Sequence, residues 1–382
     1  MTRTKSLMLV AVLLASSRAF AIKVETGTPD LNLNVNLQLQ ARYEGDWGGP
    51  TAATATNTLA SPTGHYNNDF FIRRARVITS GNAYKYFTFY VMLDTPRFGA
   101  RGNYNTSTFV QDLYVGYVPI PDVNIEAGFL YMPLSRGSLA SNTQVQAVEG
   151  PGDILFYPNA RGSRETGVQL RALFLDRRIL VRGGVYEGAR QFTAPATGVP
   201  PINPNGTPEV AGMVRYNFVG EETGYSYPGI YMDGKTRINI GVGGQYQPRA
   251  GGRTATTGGS YYDYSAIATD VFADLALPGD MEFATGVGAY RWDWGPNQNN
   301  TGNGVGGEIG FRVGPINPQV NILWFNSDNK KNSSFRAAGG VNYYFVKHNA
   351  KLQLELASNV PNGVIENTPS QKSIVLQAQA AF

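Results

Sequence analysis

The stretch Leu31-Asn32-Leu33-Asn34-Val35-Asn36-Leu37-Gln38-Leu39-Gln40-Ala41-Arg42-Tyr43-Glu44 alternates apolar and polar side chains through seven pairs without an error. Successive side chains in a strand point to opposite faces, so one face of this segment is apolar and the other polar. Strands of soluble proteins usually run about 5–6 residues, and this one keeps its alternation for fourteen. A tilted strand crossing a bilayer needs about 9–11 residues, apolar toward lipid and polar toward a water-filled lumen. The stretch predicts an outer-membrane barrel if the rest of the chain repeats the pattern.

The N-terminus fits that destination. Arg3 and Lys5 precede the apolar run Leu7 to Ala15, and Ala19-Phe20-Ala21 follows. A charged region, a short apolar core and an A-x-A site make a secretory signal peptide. Cleavage is expected near Ala21, which divides the chain into a signal peptide (1–21) and a barrel (22–382). No later run approaches the ~18 apolar residues of a spanning helix, so membrane entry must be by strands. The chain has no cysteine, which excludes a disulfide framework and thiolate chemistry. The net charge of +4 shrinks to about +1 once Arg3, Lys5 and Arg18 leave, with 29 basic against 28 acidic residues remaining. Nothing here points to nucleic acid, and no linker or composition shift divides the chain.

Segments like the first recur to the end and number about sixteen. The clearest are 86–94, 109–118, 123–132, 167–174, 238–247, 265–277, 281–292, 304–313, 335–345, 350–358 and 373–382. The alternation has exceptions in 70–79, 179–188, 210–218 and 319–325. Short connections with turn residues (Gly81-Asn82, 119–122, 175–178, 278–280, 314–317, 346–349) alternate with longer polar ones. The longer set is 45–68, 95–108, 133–164, 189–208, 248–259, 293–303, 327–333 and 359–370. Short turns on one side and long loops on the other characterise an antiparallel transmembrane β-barrel with periplasmic turns and extracellular loops. The connection 220–235 breaks the rhythm: it should be short and is not. An even strand count puts both termini on the periplasmic side.

Aromatic residues favour strand ends, with Tyr43, Tyr131, Tyr246 and Trp324 at one level and Tyr117, Phe174, Phe218, Phe345 and Phe382 at the other. Amphipathic rings settle at the two membrane interfaces, although aromatic residues also simply favour strands. The chain stops on Phe382, at the end of an alternating strand. That terminal aromatic resembles the assembly signal of bacterial outer-membrane proteins, read by the barrel-assembly machinery after periplasmic chaperones deliver the chain.

Phe71-Ile72-Arg73-Arg74-Ala75-Arg76-Val77, then Gly81, then Phe89-Tyr90-Val91-Met92-Leu93-Asp94 resemble the phosphate-selective porin O and P family. Asp112-Leu113-Tyr114-Val115, Glu126-Ala127-Gly128-Phe129 leading into Pro133-Leu134, and Arg161-Gly162 followed by Thr166-Gly167-Val168-Gln169 also fit. The motifs cover about residues 70–175; beyond them the resemblance rests on strand rhythm. It implies a sixteen-stranded homotrimeric porin of a Gram-negative cell outer membrane, surrounded by lipid and lipopolysaccharide. It also implies that the third long loop folds into the lumen as a constriction. One departure matters. Phosphate-specific members carry lysine and an arginine ladder in the pore, whereas 133–164 contains no lysine and sets Arg136, Arg161 and Arg164 among Glu149 and Asp153.

The sharpest charge feature is Arg73-Arg74-Ala75-Arg76. Charges facing lipid cost roughly 2–4 kcal/mol at mid-membrane, so Arg74 and Arg76 should face the lumen, while Arg73, on the other face, should reach toward head groups. Arg74 and Arg76 are either anion contacts or wall arginines neutralised by Asp94 and Asp112. Arg171, Arg182, Arg215, Arg312 and Arg336 share the lumen phase with Glu126, Glu282, Glu308 and Glu355, so the lumen reads as mixed in sign. The segment 133–164 is the longest loop, with glycines and prolines to bend it inward; the alternative is an ordinary surface loop. Arg74, Arg76, Arg136, Arg161, Arg164, Arg171, Glu126, Glu149 and Asp153 are the candidate constriction residues.

Catalysis finds no support. The only histidines, His65 and His348, fall in a loop and a turn, where they read as solvated residues rather than a serine's base. The glycines of 302–307 lack the strand–helix context of a phosphate loop, and no cofactor or metal is called for. Three functions stay open: a channel for passive diffusion of small hydrophilic solutes with weak anion preference, a phosphate- or polyphosphate-selective channel, and a structural or adhesive barrel without transport.

Overall fold

The computed structural model describes residues 22–25, 31–48, 66–150, 163–191, 202–251, 261–296, 298–330, 332–360 and 370–382. After a short β1 (Ile22–Glu25) come β2 (Leu31–Gly48), β3 (Asn67–Ala83), β4 (Phe87–Phe98), β5 (Phe109–Ile120), β6 (Val123–Tyr131), β7 (Arg164–Phe174), β8 (Ile179–Tyr186) and β9 (Glu209–Val219). The second half holds β10 (Arg237–Gln247), β11 (Tyr264–Leu277), β12 (Met281–Asp293), β13 (Gly302–Val313), β14 (Ile316–Ser327), β15 (Ser334–Val346), β16 (Ala350–Val360) and β17 (Gln371–Ala381).

From β2 onward each strand pairs antiparallel with the next, and β17 returns to β2 from Gln371↔Gly48 to Ala381↔Gln38. The result is a closed barrel of sixteen strands, β2 to β17, with no unpaired edge. The opening stretch of alternation is therefore the seam. β2 extends past the end of β17, and β1 pairs with that overhang, Ile22↔Val35 to Glu25↔Asn32. Phe382 closes the seam: its N–H donates to the Leu37 carbonyl at 2.9 Å, and its own carbonyl accepts from Leu37 N–H at 3.0 Å. Deleting Phe382 removes both bonds and the terminal ring, so the truncated chain should insert at well below wild-type yield, measured as heat-modifiable protein in outer-membrane fractions.

The alternation sorts the side chains. Each of β2 to β17 exposes an aliphatic residue on its outer face, among them Leu37, Val77, Leu113, Val168, Val214, Val242, Ile267, Ile309, Ile322, Leu354 and Leu376. A contiguous apolar surface of this extent is untenable in water and natural in hydrocarbon. The inner face carries the polar set, with Gln40, Asp112, Glu126, Arg182, Arg215, Glu282 and Glu355 all buried. No helix among the described residues is long and apolar enough to cross a membrane. The four segments with imperfect alternation are strands too.

Three local expectations need correction. Gly81-Asn82 lies within β3, and the turn is Tyr84 to Tyr86 with Tyr84 at φ 61°. Gly81 is needed in the strand because a β-carbon there would stand 1.9 Å from the Asn32 carbonyl oxygen. Arg73 does not reach toward head groups. The β2–β3 register slips between Gln40↔Arg74 and Ala41↔Ile72, and the extra residue in this bulge is Arg73. Its guanidinium lies 3.5 Å from Glu149, inside the barrel. Tyr131 is buried, not at the interface: it bonds to Tyr225 through its N–H at 3.0 Å, where β6 leaves the wall. Tyr117, Phe174, Phe218 and Phe345 are exposed, as interfacial rings should be.

Candidate functional site

Two chain segments enter the lumen from opposite ends. The first, residues 132–150, follows β6. Its anchors are wall side chains meeting loop backbone. Asp270 of β11 accepts from Arg136 N–H at 2.9 Å, Glu308 of β13 from Gln146 and Ala147 N–H at 3.2 and 3.0 Å, and Glu355 of β16 from Val148 N–H at 2.9 Å. Lys351 donates to the Val145 carbonyl at 3.2 Å, and Gln379 of β17 to the Thr143 carbonyl at 3.0 Å. The segment is thus tied to the inner wall at β11, β13, β16 and β17, and its Glu149 lies against Arg42 of β2 and Arg73 of β3.

The second is the connection that broke the sequence rhythm. After β9 the chain turns inward, burying Glu222, Tyr227, Ile230 and Met232, before β10 begins. It pairs with the first segment inside the barrel: Ala140 and Tyr227 form a parallel bridge, Tyr227 N–H donates to the Leu139 carbonyl at 2.9 Å, and Ser141 N–H to the Tyr227 carbonyl at 2.9 Å. Tyr231 and Met232 N–H groups are held by Asp274 and Glu282. His348 is correspondingly buried rather than solvated, and its ring Nε2 meets the Ile230 carbonyl at 2.7 Å. Burial first, and then Lys351 and Lys347, push the imidazole pKa down to about 3, so the ring stays neutral and Nε2 donates.

The keystone between the two inserts is Arg136. It reaches Glu222 at 2.9 Å, the Pro228 carbonyl, and the face of Phe272, whose centroid lies 3.4 Å away. Glu222 also accepts from Tyr231 hydroxyl at 2.8 Å and Asn239 at 3.0 Å, with Arg215 3.7 Å away. Burial alone would raise the Glu222 pKa, but Arg136 and Arg215 bring it below the ordinary carboxylate value. Tyr225 extends the other way, its centroid 4.8 Å from Tyr114 and 5.4 Å from Tyr131, its hydroxyl on Asp112 at 2.9 Å.

Most of the residues singled out in the sequence sit in ion pairs. Arg76 meets Asp94 at 2.9 Å. Arg164 meets Asp112 at 3.0 Å, its guanidinium 3.7 Å above the Tyr131 ring. Arg171 meets Glu126 at 2.8 Å and the Thr223 carbonyl at 2.6 Å. Arg74 is buried and donates to Gln40 at 2.8 Å. Arg161 and Asp153 lie outside the described residues. The other lumen charges are interleaved in sign: Arg215–Asp270 at 2.5 Å, Arg312–Glu282 at 3.1 Å, and Arg336–Glu355.

One cluster is unbalanced. Arg42, Arg73 and Arg74 stand against two carboxylates, Glu149, which meets Arg42 and Arg73 with Arg74 nearby, and Glu44, 3.9 Å from Arg42. Burial would raise the Glu149 pKa, yet the three arginines hold it well below the carboxylate range. Arg42 escaped the sequence reading although it lies in phase with Gln38 and Gln40. Arg73 is visible in the sequence but placed on the outer face, because a bulge leaves no mark in the alternation. Glu222 and Tyr225 were flagged only through the anomalous length of their connection.

Residues 62–218 match the family described as phosphate-selective porin O and P. No curated protein matches the chain. Among solved structures, the outer membrane channel DcaP of Acinetobacter baumannii superposes with a TM-score of 0.59 at 12% identity, covering 95% of this chain and 99% of that one. The anion-selective porin from Comamonas acidovorans gives 0.57 at 10% identity, covering 92% and 100%. OmpT of Vibrio cholerae, in its trimer form, gives 0.52 at 8% identity, covering 92% and 100%. At these identities the likeness is one of fold.

Proposed function

We propose that this chain, an outer-membrane porin matching the phosphate-selective porin O and P family over residues 62–218, is a channel for passive diffusion of small hydrophilic solutes, with a weak preference for anions. The observation that carries the preference is the cluster of three arginines, Arg42, Arg73 and Arg74, against two carboxylates, Glu149 and Glu44. Screening limits a charge's reach to about 8 Å at physiological salt. The local excess beside the inserts therefore matters, and the near-zero total charge does not. Low-dielectric walls focus that field into the passage. The role of 133–164 as the constriction is supported by the wall contacts of its first eighteen residues, 133–150. Homotrimeric assembly is supported by the trimer form of OmpT, and periplasmic termini by the even strand count.

Reversal potentials across a salt gradient in a planar bilayer test the reading. Stable open steps with modest anion selectivity are expected; cation selectivity would reject the preference, and absence of conductance would favour a scaffold barrel. A phosphate- or polyphosphate-selective channel is the second reading, favoured by the family match. Phosphate blocking chloride current at micromolar concentration would establish it.

A further inference from the structure

We propose that the recess at the mouth beside β1 is a binding site for a neutral, polyhydroxylated solute of the short linear oligosaccharide class. The proposal rests on the channel reading, since it places the site at one end of the solute's path.

The recess holds about 570 Å³ and is bounded by β2 to β7. Asn32 and Asn34 come from the opening alternation, two residues apart on the lumen face, and Asn82 and Asn124 face them from β3 and β6. A carboxamide offers both donors and acceptors, which suits hydroxyl groups that must give and take hydrogen bonds. Among the described residues the charged lining group is Arg171, whose guanidinium is committed to Glu126 and the Thr223 carbonyl. The described lining is thus polar without a free charge, which favours a neutral ligand over an anion.

Beside the amides lies an aromatic platform. Tyr90 and Tyr114 stack at 5.5 Å with 12° between planes, and Tyr225 of the insert backs both, 4.8 Å from Tyr114 and 5.9 Å from Tyr90. The Tyr225 hydroxyl is tied to Asp112, so the platform is held from behind. Tyr114 is buried, but Tyr90 is only partly so, leaving ring surface for the recess. A pyranose presents an apolar C–H face and an equatorial rim of hydroxyls, and rings plus amides match that division.

Gly116 adds a specific feature. A β-carbon there would stand 2.3 Å from Thr88 Oγ1 and 2.9 Å from Asn124 Oδ1, so its absence lets two polar atoms of the recess converge. Asn124 is held there by its amide nitrogen, which donates to Glu126 at 2.9 Å.

The test is current through the purified full-length protein with maltotriose added to either side. Interruptions rising with millimolar sugar are expected, stronger from the side of β1, while polyethylene glycol of equal hydrodynamic size should reduce current without discrete events. Asn34→Leu with Asn82→Leu, and separately Tyr90→Leu, should each weaken the block about tenfold or more, and Tyr90→Phe should retain it. Open channels without sugar block, equal block by polyethylene glycol, or unchanged block in the variants would overturn the site while leaving the channel reading intact. Should the protein not conduct, saturation-transfer NMR in detergent still reads the site: transfer to maltotriose lost in Tyr90→Leu supports it, and no transfer in wild type overturns it.

Discussion

Replacing residues 222–232 with a short turn should raise single-channel conductance roughly twofold or more, because an unobstructed sixteen-stranded barrel encloses an aqueous channel. This segment fills lumen space and also braces the other insert through the Tyr227 pairing and the Arg136–Glu222 contact. Removing it takes away both the obstruction and the brace, so the solute-size cutoff should rise and current noise should increase. Glu222→Gln is the milder probe. Breaking one partner of a buried ion pair costs about 3–5 kcal/mol, and Arg136 would lose its carboxylate while Arg215 keeps Asp270. That variant should keep the strand content of wild type by circular dichroism yet show noisy, larger openings. If conductance and cutoff are unchanged in the deletion, the passage does not run beside this segment.

Glu149→Gln should shift selectivity strongly toward anions. The carboxylate is shared by Arg42 and Arg73 with Arg74 close by, so its removal unmasks a full positive charge next to the inserts. If the unmasked charge changes relative ion stability by about 1.4 kcal/mol, the permeability ratio changes about tenfold, and the shift should shrink at high salt. Combining it with Arg73→Gln should restore the wild-type ratio, which separates charge from loop disorder. The pH dependence follows from the sign of the shift. A carboxyl held below its ordinary value keeps its charge, and the stability it contributes, above its unfolded pKa, and loses them only as pH falls through the lowered value. The Glu149 contribution, read as the difference in selectivity between wild type and Glu149→Gln, should therefore stay constant as pH drops through the usual carboxylate range. A difference between wild type and Glu149→Gln that vanishes near pH 4 to 5 would show that Glu149 is not held by these arginines.

The barrel was legible in the sequence because its physics is local. Lipid on one face and water on the other force a period of two, and the stretch from Leu31 to Glu44 shows that period with no knowledge of its neighbours. The strand count, the seam at Phe382 and the inward phase of Arg74, Arg76, Glu126 and Arg171 follow from the same alternation. The irregular elements were not legible. A bulge turned Arg73 from the expected outer face to the lumen by inserting one residue, which no residue type announces. The fate of 220–235 was visible only as excess length, since a loop that folds inward and one that folds outward can have the same composition.

What the sequence by itself determined is the wall: the sixteen strands that close it, the face that each regularly alternating side chain takes, and where the chain closes. Only the tertiary structure decided how the interior is used, because the inserts are held by pairs far apart in sequence, Arg136 with Glu222 and Glu149 with Arg42. Alternation is a property of each strand alone, whereas charge compensation across a lumen depends on which strands and loops face each other once the barrel has closed.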